Sequence, residues 1–321
     1  MSEAPRSRLE ALLRAGHFAV TAELGTTDSA DPTSIGWMAA PLRGFADAVN
    51  CTDNSAAHAH ISQVAAAHLL IDAGYEPIAQ FVCRDRNRLA LQADILGAAA
   101  LGVRNIVALT GDDVGAGDHP ETNPSYDLDS MHLLRIARIM RDEGTYLSGR
   151  KLTDPPSFFL GAVENPFAPP QDYRPIRLGK KIEAGAEFIQ TQMIFNMDRM
   201  REFMKRVVDL GLHERAYILA GVCIPKSARG AHYMREHVPG TDIPDEVMAR
   251  LEGTPKERQA AESIELCAEM ASELKEMEGV AGVHLMAINF EEAIPGVVER
   301  AGLLPRPQMD VPIVPEPTTK V

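Results

Sequence analysis

The sequence predicts an α/β protein closed as a single (β/α)8 barrel of the TIM type. Three observations carry that reading. Strand-like and helix-like segments alternate from residue 17 to about 301 of the 321. The strand-like segments are short apolar runs rather than clean alternators, as parallel strands covered on both faces should be. They number eight, which favours closure over an open sheet. No GxGxxG follows the first of them, so a doubly wound dinucleotide fold lacks its main signal.

The elements follow in order. Residues 17–24 (HFAVTAEL) read as the first strand, with a helical stretch near 31–42. The second strand, 46–51 (ADAVNC), leads into a helix over about 56–72 that stops at Gly74. The third, 77–83 (PIAQFVC), precedes a helix over about 86–101 closed by Gly102. The fourth, 105–109 (NIVAL), is followed by a polar, glycine-containing loop and a helix over about 128–143. The fifth, 157–163 (SFFLGAV), precedes a helix over 174–183 that ends at Gly185. The sixth, 188–195 (FIQTQMIF), runs into Asn196, a suitable N-cap for a helix ending near Gly211. The seventh, 216–224 (AYILAGVCI), opens a longer helical segment with a Pro/Gly break at 239–244, the main elaboration of the plan. The eighth, 282–288 (GVHLMAI), precedes a last helix over about 290–301. Glycine recurs where these helices stop because it accepts the left-handed geometry of that position. The barrel domain is thus expected over 1–304, and the proline-rich 305–321 as an extended or disordered tail.

Composition excludes several classes. A net charge of −13 opposes non-specific binding to nucleic acid or to an anionic membrane, although a local cluster can oppose the net field. Residues 1–14 carry three Arg and two Glu and no apolar h-region, and no apolar run approaches a membrane span. Cys51, Cys83, Cys223 and Cys267 form no CxxC pair, so buried free thiols are expected. The expected location is the cytoplasm. His58 and His60 form HxH by letter but would face apart at i and i+2 of a helix, and there is no HExxH, so no metal site is expected. Nucleophilic hydrolysis has no support either, because GxSxG is absent.

Chemistry in such a barrel is assembled at strand C-termini, so polar residues that interrupt the apolar runs there are the candidates. Glu23 lies between Ala22 and Leu24; it is either an ion-pair partner closing the barrel or a general acid. Residues 50–55 (NCTDNS) offer groups that bond phosphates, riboses or amides, or that cap a helix. Gln80 and then Arg84 follow in the third strand, the arginine facing an anion or joining a surface salt-bridge cluster. Thr110, Gly111 and Asp112 end the fourth strand, with glycine permitting close approach of a ligand. Glu164 and Asn165 end the fifth, Lys180 and Lys181 precede the sixth, and Gln190, Thr191 and Gln192 lie within it. These last are either an internal polar layer or ligands at the mouth.

Glu23, IVALTGD at 106–112, KKIEAGAEFIQTQMIF at 180–195, LAGVCIP at 219–225 and HLMAIN at 284–289 occur in an order that resembles the methylenetetrahydrofolate reductase family over about 18–303. The resemblance implies a flavin-bearing (β/α)8 barrel that interconverts 5,10-methylene- and 5-methyltetrahydrofolate, in one-carbon metabolism and methionine biosynthesis. It implies Glu23 as general acid toward N10 of the folate and Asp112 as the charge that stabilises the iminium and tunes the flavin. It implies Asn50, Gln80, Thr110, Gly111, Tyr126 and Lys181 as flavin-binding residues and Gln192 as a folate contact. FAD is the implied cofactor, with FMN or no flavin as alternatives, and NADH or NADPH the co-substrate. The sequence departs from the better-known bacterial form: Thr110 stands for an Arg, Gln80 for a flavin-contacting His, and no Arg follows the eighth strand, where Phe290 follows Asn289. The strand-eight text is more similar to the branch of acetogenic and one-carbon-assimilating organisms. That leaves two alternatives: a pterin-binding partner subunit of a methyl-transfer or electron-transfer complex, and a flavin-free reductase using NADH directly. A homo-oligomer is compatible with each.

Overall fold

The computed structural model describes residues 4–25, 27–238 and 240–313. Eight parallel strands close into one barrel in chain order. They are β1 (Ala19–Leu24), β2 (Ala48–Cys51), β3 (Pro77–Val82), β4 (Asn105–Leu109), β5 (Phe159–Glu164), β6 (Phe188–Ile194), β7 (Tyr217–Cys223) and β8 (Val280–Met286). Closure is set at Thr21, which stands opposite Ala48 on one side and His284 on the other. The helices are α1 (Arg8–Arg14), α2 (Ser34–Ala39), α3 (Gln63–Asp72), α4 (Arg88–Ala100), α5 (Ser130–Asp142), α6 (Arg174–Ala184), α7 (Met197–Asp209), α8 (Ala228–His237), α9 (Asp245–Glu252), α10 (Gln259–Lys275) and α11 (Ile294–Arg300). Helices α8 to α10 form the expected elaboration between β7 and β8. Asn196 caps α7 as expected, its side-chain oxygen accepting from the Arg199 amide.

The barrel follows the sequence pattern, with four local departures. Helix α1 was not expected; Ser7 caps it, and Leu9, Leu12 and Leu13 plug the N-terminal end of the barrel against Ile78, Val107, Phe159 and Phe188. The buried Glu76 carboxylate holds that plug, accepting from the Arg8 and Leu9 amides at 2.9 Å each, as a negative charge at a helix N-terminus should. Helix α3 begins at Gln63, not near 56, because Asn54, Ala56 and Ala57 take positive φ of 45, 51 and 61°. His58 and His60 therefore lie in a loop with stacked rings 6.4 Å apart, rather than apart on a helix. Strand β8 ends two residues early, which leaves Ile288 exposed beside the mouth. Strand β5 begins later than expected and reaches Glu164.

Residues 305–313 carry no helix or strand, and 314–321 lie outside the described residues. The stretch is pinned to the barrel. Arg306 pairs with Asp47 at 2.5 Å, both side chains buried, and donates to the Phe18 carbonyl at 2.8 Å. All four cysteines are buried and free. Burial pushes their thiols up, those of Cys83 and Cys223 to about 12, which denies them thiolate chemistry near neutrality. No helix among the described residues is long and apolar enough to cross a membrane.

Two outcomes follow from these ion pairs. Arg306→Met leaves Asp47 buried without its counter-charge and should cost about 3 kcal/mol, read as a thermal transition lowered by several degrees. An unshifted transition would show that the pair holds nothing. Burial alone would push the Glu10 carboxyl up, but hydrogen bonds from Arg6 and the charges of Arg6 and Arg14 hold it below its ordinary value. A lowered carboxyl stabilises above its unfolded pKa, and that stabilisation is lost as pH falls through the folded one. Glu10→Gln should therefore destabilise the protein at pH 7 and approach the parent's stability in acid, as measured by urea unfolding across pH.

Candidate active site

Side chains alternate along a strand, so the inward series of β1 is Ala19, Thr21 and Glu23, climbing toward the C-terminal mouth. The lowest inward residues, among them Ala19, Ala48, Ile78 and Phe188, are apolar and pack on α1. The next level is polar: Thr21, Asn50, Gln190 and His284, all buried. These groups satisfy one another. The Asn50 amide donates to Gln190 Oε1 at 2.7 Å, and Gln190 Nε2 donates back to Asn50 Oδ1 at 2.9 Å. Gln190 Nε2 also lies 3.2 Å from Thr21 Oγ1 and from His284 Nδ1. Thr21 Oγ1 is 3.0 Å from the same ring nitrogen.

Above this layer opens a cleft of about 440 Å³. Its lining includes Glu23, Gln80, Thr110, Gly111, Asp112, Lys181 and Gln192, so seven of the nine residues implied by the family resemblance converge there. Asn50 and Tyr126 do not line it. Glu23 is half-buried. Its Oε2 accepts from Gln80 Nε2 at 3.3 Å and faces His284 Nε2 at 3.7 Å. One Glu23 oxygen is steadied by these two neighbours, His284 across the β1–β8 seam, and the residue lines the cleft. His284 was missed from sequence. Its signal was available only in the β1–β8 register, which sets it beside Thr21 and one step below Glu23.

The β4 side is shaped by Gly111, at φ 99°. A Cβ there would come within 2.5 Å of Val82 Cγ1 and 3.0 Å of Arg84 Cβ. Thr110 Oγ1 accepts from the Ser130 amide at 3.2 Å and ties the strand end to α5. Asp112 is exposed at the mouth. Tyr126 sits outside the cleft, and its hydroxyl donates to the Asp112 carbonyl at 2.9 Å. Burial, more than the Arg84 charge opposing it, pushes that phenol up. Arg84 is among the residues that line the cleft, and its side chain is buried and paired with Asp85 at 2.6 Å.

On the β5–β6 side, Lys181 is buried and bonds the Val163 carbonyl. Its ammonium lies 3.0 Å from the fully buried Glu164, which Arg177 at 3.0 Å and Arg174 at 3.6 Å also address. Burial pulls the Lys181 ammonium down from its ordinary value, and Glu164 partly restores it. Three cations thus surround one carboxylate at this wall. Lys180 turns away, to the Tyr173 hydroxyl at 2.9 Å. Gln192, two residues after the inward Gln190, lines the cleft beside a register shift between Gln190 and Met193. Thr191 Oγ1 stabilises that shift by accepting from the Gly221 amide at 2.8 Å. Gly221 is required opposite, because a Cβ there would come within 2.8 Å of the Gln192 carbonyl. Among the described residues, no group of three or more His, Cys, Asp or Glu is placed to hold a metal ion.

A family model described as methylenetetrahydrofolate reductase matches residues 8–302. Methylenetetrahydrofolate reductase 1 of Schizosaccharomyces pombe is 26% identical over 228 residues, 69% of this chain and 35% of the relative. The probable methylenetetrahydrofolate reductase (NADPH) of Caenorhabditis elegans is 25% identical over 248 residues, 74% of this chain and 34% of the relative. The chain spans about a third of the length of these relatives. Among solved structures, an uncharacterized protein from Clostridium thermocellum, described as binding two copies of 5-methyl-5,6,7,8-tetrahydrofolic acid, superposes with a TM-score of 0.62 at 12% identity. The match covers 93% of this chain and 100% of that one. At that identity the likeness is one of fold.

Gly111→Ala tests the tight β4 turn. The positive φ and the contact with Val82 together should cost on the order of 2 kcal/mol, measured by chemical denaturation. An alanine variant of parental stability would mean that the turn has room to relax.

Proposed function

Because the chain belongs to the methylenetetrahydrofolate reductase family, we propose that it interconverts 5,10-methylenetetrahydrofolate and 5-methyltetrahydrofolate at the barrel mouth. The observation that carries this reading is the convergence of Glu23, Asp112 and Gln192, from three separate strand ends, on one cleft. A folate is also the ligand described for the Clostridium thermocellum protein of the same fold.

The residues divide the work. Glu23, protonated at the oxygen turned to the cleft, gives its proton to N10 as the methylene–N10 bond breaks and the N5 iminium forms. Gln80 and His284, at its other oxygen, keep the carboxyl oriented. General acid catalysis of this kind contributes roughly 10²- to 10⁴-fold. The Asp112 carboxylate offsets the positive charge that develops on the pterin, a preorganised charge where charge appears. The Gln192 amide holds the pterin in register with both carboxyls. In the reverse direction Glu23 takes the proton back.

A flavin fits this wall. Thr52 Oγ1 is buried there without a hydrogen-bond partner. Gly111, without a Cβ, brings the β4 main chain to the cleft lining, and the three cations around Glu164 leave an excess of positive charge suited to a diphosphate. Gln80, Thr110, Gly111 and Lys181 would hold the flavin, FAD in the first instance, with Asn50 and Tyr126 supporting the wall from behind. When bound, it supplies the hydride for the methylene carbon, with NADH or NADPH as the source of electrons.

The purified protein should be yellow or become so with FAD, and NADH should bleach it anaerobically before methylene-folate restores the colour. Folate turnover in a colourless protein would instead identify direct transfer from the nicotinamide. A flavoprotein that turns over only with a second subunit would identify a complex component. Glu23→Gln should keep the fold and the flavin and lower folate turnover on the order of 100-fold or more. Asp112→Asn should slow the folate half-reaction by about tenfold or more. Turnover at the parental rate in Glu23→Gln removes that residue from the acid role.

A further inference from the structure

We infer that Arg84 is the positioning residue for Asp112, acting as a buried clamp that locks the β2, β3 and β4 loops into one wall of the mouth. The inference rests on the reductase reading for its catalytic consequence and on geometry alone for the clamp.

Arg84 directly follows the third strand's apolar run, yet its side chain is 2% exposed. A buried guanidinium must have its donors satisfied. Here they reach three loops. Nε and Nη2 meet the two Asp85 oxygens at 2.6 and 2.8 Å, which cancels the charge. Nη2 also donates to the Asn54 carbonyl of the β2 loop at 2.9 Å, and Nη1 to the Asp112 carbonyl of the β4 loop at 3.4 Å. The return end of the β4 loop closes on the same residue, the Ser125 amide donating to the Arg84 carbonyl at 2.7 Å. Asp85 completes the bracket by accepting from Asn54 Nδ2 at 3.1 Å. Above the clamp the β2 and β4 loops touch, with Gly117 so close to Ala57 that no Cβ fits.

The consequence falls on Asp112. Its carboxylate is exposed and, among the described residues, takes no hydrogen bond. The nearby Arg84 charge acts on it, but no hydrogen bond fixes its direction. Its carbonyl oxygen is held by Arg84 and by the Tyr126 hydroxyl, so the carboxylate is aimed through its own main chain. Lysine cannot replace this function. It is a point charge on a flexible stem, whereas the planar fork addresses separate acceptors at once.

The test uses the full chain and Arg84→Lys. In hydrogen exchange, amides at 111–128 and 52–60 should exchange about tenfold faster or more, while the strand amides stay protected. Unchanged loops, or loosening spread evenly over the barrel, overturn the clamp. In folate turnover, Arg84→Lys should lower kcat about tenfold and alter KM less. The double variant Arg84→Lys/Asp112→Asn should be no slower than Asp112→Asn alone, because both act through one group. Losses that multiply overturn the positioning role. If the parent protein turns over no folate, the reductase reading fails and the exchange result alone decides the clamp. Should Arg84→Lys not fold, Asp85→Asn replaces it, since it weakens the pairing that holds the guanidinium in place; unaltered exchange at 111–128 in that variant overturns the inference.

Discussion

Closing β1 against β8 sends every second strand residue into a narrow interior, and whatever is polar there must find its partners inside. Much of the site follows from that constraint. The apolar lower level is filled by Ile78, Phe159, Phe188 and the α1 leucines. The level above consists of amides, a hydroxyl and an imidazole that have no water to turn to. Asn50 and Gln190 meet across the barrel and exchange both hydrogen bonds, which fixes the orientation of each amide and spends it. The floor of the cleft is therefore rigid before any ligand arrives. Glu23 stands one step above it, with one oxygen steadied, and lines the cleft.

Charge is handled in the same way throughout the molecule. A net charge of −13 describes the surface and says little about the mouth. Buried carboxylates here have cations within reach: Asp47 has Arg306, Glu164 has Lys181 and two arginines, and Asp53 has Arg86. These pairs do not add much stability by existing, since desolvation takes back most of the Coulomb gain, but each fixes where a backbone segment can go. Arg306 pins the chain after the last helix to the barrel bottom. Around Glu164 the cations outnumber the anion, so one wall of the cleft is positive in an acidic protein.

The fold was legible because its signals are local. Strand β4 was read with its observed bounds, and the other seven within two residues at every end. Asn196 acted as the cap its chemistry predicts. The misreadings have physical causes. The β2 loop looked like the start of α3, but Asn54, Ala56 and Ala57 take positive φ there, the two alanines against their propensity, where Ala57 abuts Gly117 of the β4 loop. Helix α1 is only seven residues long and draws its stability from plugging the barrel, so no periodicity announces it. Of the nine site residues implied by the resemblance, seven line the cleft, whereas Asn50 and Tyr126 do not, and His284 went unnoticed.

The sequence by itself determined the eight βα units, the apolar strands that close on one another, and the strand ends that carry Glu23, Gln80, Asp112 and Gln192. Those features depend on residue type and on neighbours along the chain. Tertiary structure alone decided what each polar group has left to offer once its neighbours across the barrel are counted. Asn50 is consumed by Gln190, Lys181 shares Glu164 with two arginines, and Arg84 is drawn inward to hold three loops. His284 gains a place beside Glu23 through the strand register. Hydrogen-bonding capacity is limited and is spent between residues far apart in sequence, so the groups free to act at the mouth are known only once the barrel has closed.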